Sequence, residues 1–474
     1  SARSAYVQFV LDYPQGKDRW TKTTGFLVKN LDYEHVAGRH SVMEVLHTLL
    51  SKVGEEILQP LLLTFFVGLI PRLGSDTDKS CRDMAGVLIG KVYEAADGER
   101  EKTLRETVKK WMGADKKLAI RKAALQCWAI FVRSDKPADK IVDGLMDELD
   151  TIVATEIDLE SVGERQHLLA ALDLFTAICE MHPERAFSKK RASLWSSVQQ
   201  RSTAPVAETQ EAAAKLQNML YNDVASTASK TDRGLAGLPL RASGDLELGA
   251  EELRSTCTIN LRVLRSSSAN ANEAVAATAR NLVFLGRAFS ANGMQWKESV
   301  AEEHGEEDDV EEEDKANGQD TTAIGYLLAR LSAIVRRENT AAATRTAALQ
   351  CQTALLNHLS APLPNTATLI RPLYNLTDPS VPQPPGEAYV TLVSQARETL
   401  DLLQKKLGSE AYVAEMGKAK KASMEKRDER RRKRRIEAVS EPEKWAKEKK
   451  KKFDAKKARI KEKGAEERGK RRGW

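Results

Sequence analysis

The amino-acid sequence predicts an all-α protein, built as a solenoid of helix pairs that ends in a long basic helical tail. Aromatic residues make up only 5% of the 474 residues and charged residues 30%. This balance favours long amphipathic helices over sheets, which need aromatic and β-branched strands. Apolar residues also recur at spacings of three and four along much of the chain. The third observation is an internal repeat, which allows a chain of this length to form one extended array.

The solenoid helices are predicted most clearly from Ser41 to about Ala213. In the first of them one face carries Val42, Val45, Leu46, Leu49, Leu50 and Val53. Two later helices begin alike, since an Asp precedes an Arg in both, and these arginines, Arg82 and Arg121, are 39 residues apart. We expect the Asp near each start to cap free backbone amides. The period is typical of HEAT and armadillo repeats, so the fold class is a HEAT/armadillo-like α-solenoid.

Composition divides the predicted array. Residues 225–244 are rich in Ser, Thr, Gly and Ala and predict a flexible loop, while 10 of the 13 residues of 302–314 are acidic and cannot form a core. The predicted organisation is therefore a HEAT-like array over 1–224, a loop over 225–244, further solenoid helices over 245–301, an acidic disordered insert over 302–320, C-terminal solenoid helices over 321–408 and a basic helical tail over 409–474.

The charge of the chain is strongly asymmetric. Residues 417–474 hold 26 Lys and Arg against 11 Asp and Glu, a net of +15, and the 48 basic and 57 acidic residues upstream give −9. A polyanion should therefore meet the tail. The tail predicts one helix from Glu410 to about Val439. A second, after the capping-box pattern at Ser440-Glu441-Pro442-Glu443, would continue to about Lys463.

The basic runs of this tail are the candidate RNA-binding residues. Trp445, Phe453 and Trp474 lie among them and are suited to stacking on unpaired bases. A solvated charged helix or a nuclear-import signal explains such runs equally well, but their density favours RNA. The candidates are Lys426, Arg427, Arg430, Arg431, Arg432, Lys433, Arg434, Arg435, Lys449, Lys450, Lys451, Lys452, Lys456 and Lys457.

Residue patterns for catalysis, cofactors or metals do not emerge. Gly86 to Lys91 has only three residues between its glycines and lacks the Ser or Thr that follows the lysine of a phosphate loop. The seven histidines have no metal-ligand spacing, and the five cysteines are scattered among apolar residues, which predicts buried thiols. The apolar run Leu61 to Pro71 is too short to span a bilayer and predicts a buried helix. We expect a non-enzyme with no cofactor, no small-molecule substrate and no membrane partner.

A family resemblance is carried by the first part of the chain. The motifs closely resemble the C-terminal region of the down-regulated-in-metastasis protein family, giant HEAT-repeat proteins of the small-subunit processome that associate with a small nucleolar RNA. The residues are Asp12-Tyr13-Pro14-Gln15-Gly16, Leu31-Asp32-Tyr33-Glu34-His35, Gly38-Arg39, Met43-Glu44, Phe65-Phe66, Asp76 to Ala85, Trp111, Gly113 and Ala114. The resemblance is specific over residues 5–130 and rests on layout beyond them, and 202–260 depart from the pattern. It implies that the chain is part of a longer protein.

The resemblance implies a non-catalytic scaffold in early small ribosomal subunit assembly and pre-rRNA processing. Its partners would be pre-ribosomal RNA, the small nucleolar ribonucleoprotein and other processome proteins, and its location the nucleolus. HEAT architecture alone supports an alternative, a nuclear-transport or signalling solenoid that binds peptide cargo and uses its tail only for nuclear import. A third hypothesis has the acidic run 302–314 folding back on the tail when RNA is absent.

Overall fold

The computed structural model describes residues 2–13, 16–134, 139–158, 160–266, 272–296, 322–337, 340–360, 363, 366–378, 386–440 and 450. These residues belong to two compact units, Ser1–Leu359 and Ser360–Trp474. The acidic run 302–314 and the predicted second tail helix, apart from Lys450, lie outside the described residues.

Unit 1 consists mainly of α-helices. They are α1 Ala2–Asp12, α2 Lys17–Asn30, α3 Val36–Lys52, α4 Glu55–Leu58, α5 Leu62–Ser75, α6 Lys79–Ala95, α7 Gly98–Trp111, α8 Leu118–Arg133, α9 Asp139–Ala154, α10 Val162–Met181, α11 Pro183–Ala186, α12 Ala192–Arg201, α13 Ala207–Ser229, α14 Ala250–Ser266, α15 Asn272–Ala291, α16 Ala323–Arg336 and α17 Ala342–His358. Single 3-10 turns at Gln59–Leu61 and Lys189–Arg191 precede α5 and α12.

These helices form two layers. In one layer α3, α6, α8, α10, α13, α15 and α17 follow one another, each packed on the next. The second layer contains α5, α7, α9, α12, α14 and α16, and each of these pairs with the first-layer helix that follows it in the chain. This is the arrangement of a helix-pair solenoid, so the predicted all-α fold class is confirmed.

Aromatic and small residues join successive repeats. The ring of Phe66 stacks on Trp111 with 5.8 Å between centroids, and Phe131 stacks on Tyr93 at 4.0 Å, so four helices share one aromatic core. Gly286 of α15 lies so close to α17 that an added Cβ would come within 2.4 Å of the Leu355 side chain. Small residues at such crossings allow neighbouring first-layer helices to approach closely.

Side-chain caps begin some of the helices. Asp78, Asp97, Ser161 and Thr322 accept the backbone N–H three residues ahead, at the starts of α6, α7, α10 and α16. The sequence predicted the same role for an Asp at the start of α8, and this prediction is wrong. Lys117 occupies that N-cap position, and no side-chain hydrogen bond caps α8.

A β-hairpin replaces part of the predicted loop over 225–244. Helix α13 continues to Ser229, and β1 Leu240–Arg241 pairs antiparallel with β2 Glu247–Leu248. Leu240, Ala242 and Leu246 are buried, and the Leu246 N–H donates to the Phe187 carbonyl at 2.9 Å. The hairpin packs on the chain that follows α11 through contacts that its composition does not indicate.

The stretch Glu55–Ser75 is, by length and composition, apolar enough to cross a membrane. Only 44% of its most apolar window is buried. Even so, α5 places Phe65, Phe66, Leu69 and Leu73 in the protein core, as a repeat helix does. A core helix passes the same composition test, and we describe α5 as part of the solenoid.

Unit 2 consists of α18 Thr366–Thr377, α19 Glu387–Leu407 and α20 Ser409–Ser440. Gly408 separates α19 from α20 with a φ of 81°, a left-handed conformation that favours glycine and ends the helix. The described part of α20 agrees with the predicted first tail helix to within one residue at each end. Both α19 and α20 pack on α18, so the beginning of the tail belongs to a folded unit.

Candidate nucleic-acid interface

Helix α20 has one face that packs on α18. Ala419 is 5% exposed, and four residues later the Ser423 hydroxyl donates to Asn375 Oδ1 at 3.0 Å. Four residues further, Arg427 Nη2 lies 2.6 Å from Asp378 Oδ2. The spacing of four places these three side chains on one stripe, which fixes the rotation of α20 about its axis.

The ion pair between Arg427 and Asp378 holds this stripe in place. Asp378 directly follows the C-terminal end of α18 and is 8% exposed, whereas the Arg427 side chain is 39% exposed. A nearly buried carboxylate next to a helix C-terminus needs a cation to offset its lost hydration and the helix dipole. Arg427, which the sequence predicted as an RNA contact, therefore contributes to the packing of the tail.

Outside its contact with α18, helix α20 presents cations to solvent. Residues 418–435 hold eleven Lys and Arg against three Asp and Glu. The side chains of Lys418, Lys421 and Arg431 are 72%, 82% and 74% exposed. Lys420, Arg432 and Arg435 are also exposed. Lys421 and Arg432 are eleven residues apart, or about three turns, and so share one line along the helix.

Local acidic residues do not neutralise this surface. Lys418 pairs with Glu415 at 2.7 Å and Arg431 with Asp428 at 3.5 Å, both within one turn of the helix. Exposed pairs of this kind contribute about 0–1 kcal/mol and are screened by salt. A phosphate group can therefore displace them at little cost, and the exposed cations of α20 form what we call the tail surface.

Several predicted RNA contacts are only partly placed by the structure. The backbone of Lys426, Arg430, Lys433 and Arg434 lies within α20, but their side chains are outside the described part, and Lys450 is exposed. Lys449, Lys451, Lys452, Lys456 and Lys457 lie outside the described residues. Lys418, Lys420 and Lys421 join the tail surface although the sequence did not single them out. The sequence feature that could have identified them is the same run of basic residues, interrupted here by alanines.

One cluster offers metal-ligand chemistry. The ligand atoms of His40, Asp78 and Cys81 lie within 4.8 Å of one another. Burial raises the pKa of the Cys81 thiol, with Asp76 adding to the effect, whereas metal binding requires the thiolate. Asp78 already accepts the Cys81 N–H at 2.9 Å. We therefore interpret this cluster as part of the N-terminal cap of α6.

The cysteines match the prediction of buried apolar side chains. All five are free and buried. Burial raises the pKa of the thiols of Cys127, Cys179 and Cys351. They therefore remain protonated at neutral pH, which makes them poor nucleophiles.

Comparison with known proteins decides the family. The model of the family described as "Small subunit processome component 20 homolog, C-terminal" matches residues 121–467, or 347 of the 474 residues. The chain belongs to this family. This match of the component 20 family covers the residues after 130, where the sequence resemblance depended only on the order and composition of segments. It also includes most of the tail.

Curated relatives of the component 20 family are much longer than this chain. A "U3 small nucleolar RNA-associated protein 20" from Saccharomyces cerevisiae is 24% identical over 451 residues, covering 93% of the chain and 17% of that protein. The protein of the same name from Schizosaccharomyces pombe is 39% identical over 116 residues, covering 24% of the chain and 5% of that protein. The chain thus spans a small part of the length of both.

Among solved structures, Kap121p resembles the chain with a TM-score of 0.50 and 14% identity, over 85% of the chain and 34% of Kap121p. Kap121p bound to Pho4p gives the same TM-score with 15% identity, over 84% of the chain and 34% of that structure. At such low identity the likeness concerns the fold alone.

Proposed function

We propose that this component 20 chain is a non-catalytic scaffold in early small ribosomal subunit assembly and pre-rRNA processing, and that its tail holds pre-ribosomal RNA. The observation that carries the proposal is the exposed cationic tail surface, found in a chain of this family. The names of the family and its relatives support a place in the small-subunit processome, with pre-ribosomal RNA, the small nucleolar ribonucleoprotein and other processome proteins as partners. The corresponding location is the nucleolus.

The geometry of α20 suits a polynucleotide backbone. From Lys418 to Arg435 the tail surface extends about 26 Å along the helix axis. Lys421 and Arg432 lie on the side of the helix away from α18, because Ala419, Ser423 and Arg427 face α18. Contacts of this kind neutralise phosphates and release counterions, so binding depends on salt and little on base sequence.

A charge-removal experiment on the whole chain tests the tail surface. The variant changes Lys418, Lys420, Lys421, Arg431, Arg432 and Arg435 to Gln, and fluorescence anisotropy measures its affinity for a 40-nucleotide single-stranded RNA at several salt concentrations. If the six cations contact six phosphates, the slope of log affinity against log salt becomes smaller by about 4.

The matched control removes six exposed lysines from unit 1: Lys22, Lys52, Lys140, Lys189, Lys190 and Lys230. This control has the same net charge as the tail variant. Equal slopes for the two variants would mean that the tail surface has no special role, and the RNA-holding proposal would be wrong.

A second experiment addresses the transport alternative. Crosslinking in cells should recover ribosomal RNA precursors with the chain if it is an assembly scaffold, and cargo proteins without ribosomal RNA if it is a carrier. The fold likeness to Kap121p is compatible with both functions and favours neither.

A further inference from the structure

A series of arginines recurs at one position in the first layer of unit 1. The fourth residue of α3, α6, α8, α10 and α17 is Arg39, Arg82, Arg121, Arg165 and Arg345, respectively. Arg82 and Arg345 each bind a carbonyl oxygen near the end of the preceding second-layer helix. Arg345 Nε, for example, donates to the Val335 carbonyl at 2.8 Å. The position therefore joins the two helices of a pair.

At the first member of this series a carboxylate offsets the charge. Arg39 Nη2 lies 2.8 Å from Asp76 Oδ1, and both side chains are buried. Burial acts to raise the pKa of Asp76, but the Asp78 N–H and the Arg39 guanidinium outweigh it and hold that pKa below its usual range. The Arg39–Asp76 pair links one repeat to the next.

The next two members lack this compensation. Arg82 donates instead to the backbone carbonyl of Asp76 at 2.7 Å. Asp115, which stands where Asp76 stands one repeat earlier, pairs with Lys116 at the surface. Arg121 has a buried Nε with no hydrogen-bond partner. Within the described ranges, no carboxylate oxygen lies within 4 Å of the side-chain nitrogens of Arg82 or Arg121.

Lys122, the next residue after Arg121, adds a third cation close to Arg82. Its ammonium donates to the Gly74 carbonyl and to Gln166 Oε1, which are both neutral acceptors. Burial lowers the pKa of Lys122, and the nearby Arg82 lowers it further, so the two cations repel each other. All three side chains are half-buried, and we call them the basic notch.

On its α10 side the basic notch meets His167, whose imidazole is uncharged at neutral pH. Burial lowers the pKa of His167 to about 4, and Arg121 contributes to the lowering. The neighbouring Glu164 is already engaged, because Oε2 accepts the Asp158 N–H at 2.8 Å. Asp83 is exposed on α6 beside Arg82 and forms no ion pair with it. Arg82, Arg121 and Lys122 thus carry positive charge in a part of the chain whose net charge is −9 upstream of Gly417.

We propose that Arg82, Arg121 and Lys122 form a second RNA-binding site, on unit 1, whose ligand is the phosphodiester backbone. A phosphate would supply the negative charge that Asp115 does not, and its oxygens can accept from a guanidinium and an ammonium group at once. Half-desolvated cations gain more from such a partner than fully exposed ones do. The inference rests on the proposed RNA-holding function and adds a surface to it that is independent of the tail.

The test compares two variants of the 474-residue chain. The notch variant is Arg82→Gln/Arg121→Gln/Lys122→Gln, and the control is Lys189→Gln/Lys190→Gln/Lys230→Gln. Both lose three positive charges from unit 1. The probe is the same 40-nucleotide RNA, measured by anisotropy at several salt concentrations. Loss of three phosphate contacts should reduce the salt slope by about 2 and weaken binding at 0.15 M salt at least about tenfold, relative to the control.

Two further variants separate a binding role from a structural one. The conservative variant Arg82→Lys/Arg121→Lys keeps the charge and should retain the salt slope. Arg121→Gln alone removes a side chain with no hydrogen bond in the described structure, so it remains usable if the triple variant unfolds in a circular-dichroism melt, and its slope should fall by about 0.7.

The outcomes distinguish this inference from the proposed function. If the tail variant loses affinity and the notch variant matches its control, the basic notch is not an RNA site and the tail proposal stands. An acidic protein segment as the true occupant gives that same result for the notch variant. If the parent chain itself fails to bind RNA, both proposals are wrong.

Discussion

Gly244 offers the sharpest test of how the hairpin packs on the segment formed by α11 and Phe187. It lies between β1 and β2, next to the turn formed by α11. A Cβ added here would lie 2.0 Å from the Glu184 carbonyl oxygen and 2.8 Å from the Phe187 carbonyl carbon and oxygen. All these atoms belong to backbone, which cannot rotate away, so Gly244→Ala must displace the hairpin.

The magnitude follows from two terms. Forcing an extra methyl group into a packed site costs about 1–3 kcal/mol. Displacement also breaks the hydrogen bond from the Leu246 N–H to the Phe187 carbonyl, which contributes about 0.5–1.5 kcal/mol. We therefore expect Gly244→Ala to lower the free energy of opening this region by about 2–4 kcal/mol.

Hydrogen exchange followed by mass spectrometry measures this opening directly. Peptides over 240–248 and 183–188 should exchange faster in Gly244→Ala, while peptides of α5 to α8 should not change. The control is Gly144→Ala, on the exposed face of α9, where an added Cβ meets nothing within 4 Å. It should stabilise that helix by about 0.5–1 kcal/mol. Unchanged exchange of the hairpin in Gly244→Ala would refute the close packing.

Three further predictions concern charged groups. Asp378→Ala and Arg427→Ala should each loosen α20, with a coupling free energy of about 1–2 kcal/mol in a double-mutant cycle monitored by exchange of α20; additive effects would mean no interaction. The folded-state pKa of Asp76 is depressed, so its stabilisation is present above about pH 4 and is lost as pH falls further; Asp76→Asn should flatten that part of the stability profile. The pKa of His167 is lowered to about 4, so the unfolded state binds more protons between about pH 6.5 and 4, and the protein loses stability as pH decreases through that range. His167→Gln should remove this pH dependence, and an NMR titration of His167 with a midpoint near 6.5 would contradict the prediction.

Helix positions could be read from local pattern, but the contacts that decide roles could not. Predicted Glu410 to about Val439 corresponds to α20 at Ser409–Ser440, because basic side chains with helix-forming neighbours specify a helix locally. The buried hairpin was missed because Leu246 gains its partner from Phe187, which is 59 residues earlier in the chain. Arg427 looked like its basic neighbours until Asp378 was found beside it.

The sequence by itself determined that this chain is an all-α solenoid with an acidic body and a basic tail. Those properties follow from residue type and from a period of 3.6, which act over one or two turns of helix. Only the tertiary structure decided which cations are compensated. Arg39 and Arg427 meet carboxylates, whereas Arg82 and Arg121 meet neutral oxygens or no partner. The reason is that an ion pair needs two side chains within about 4 Å, and packing between distant segments sets that distance.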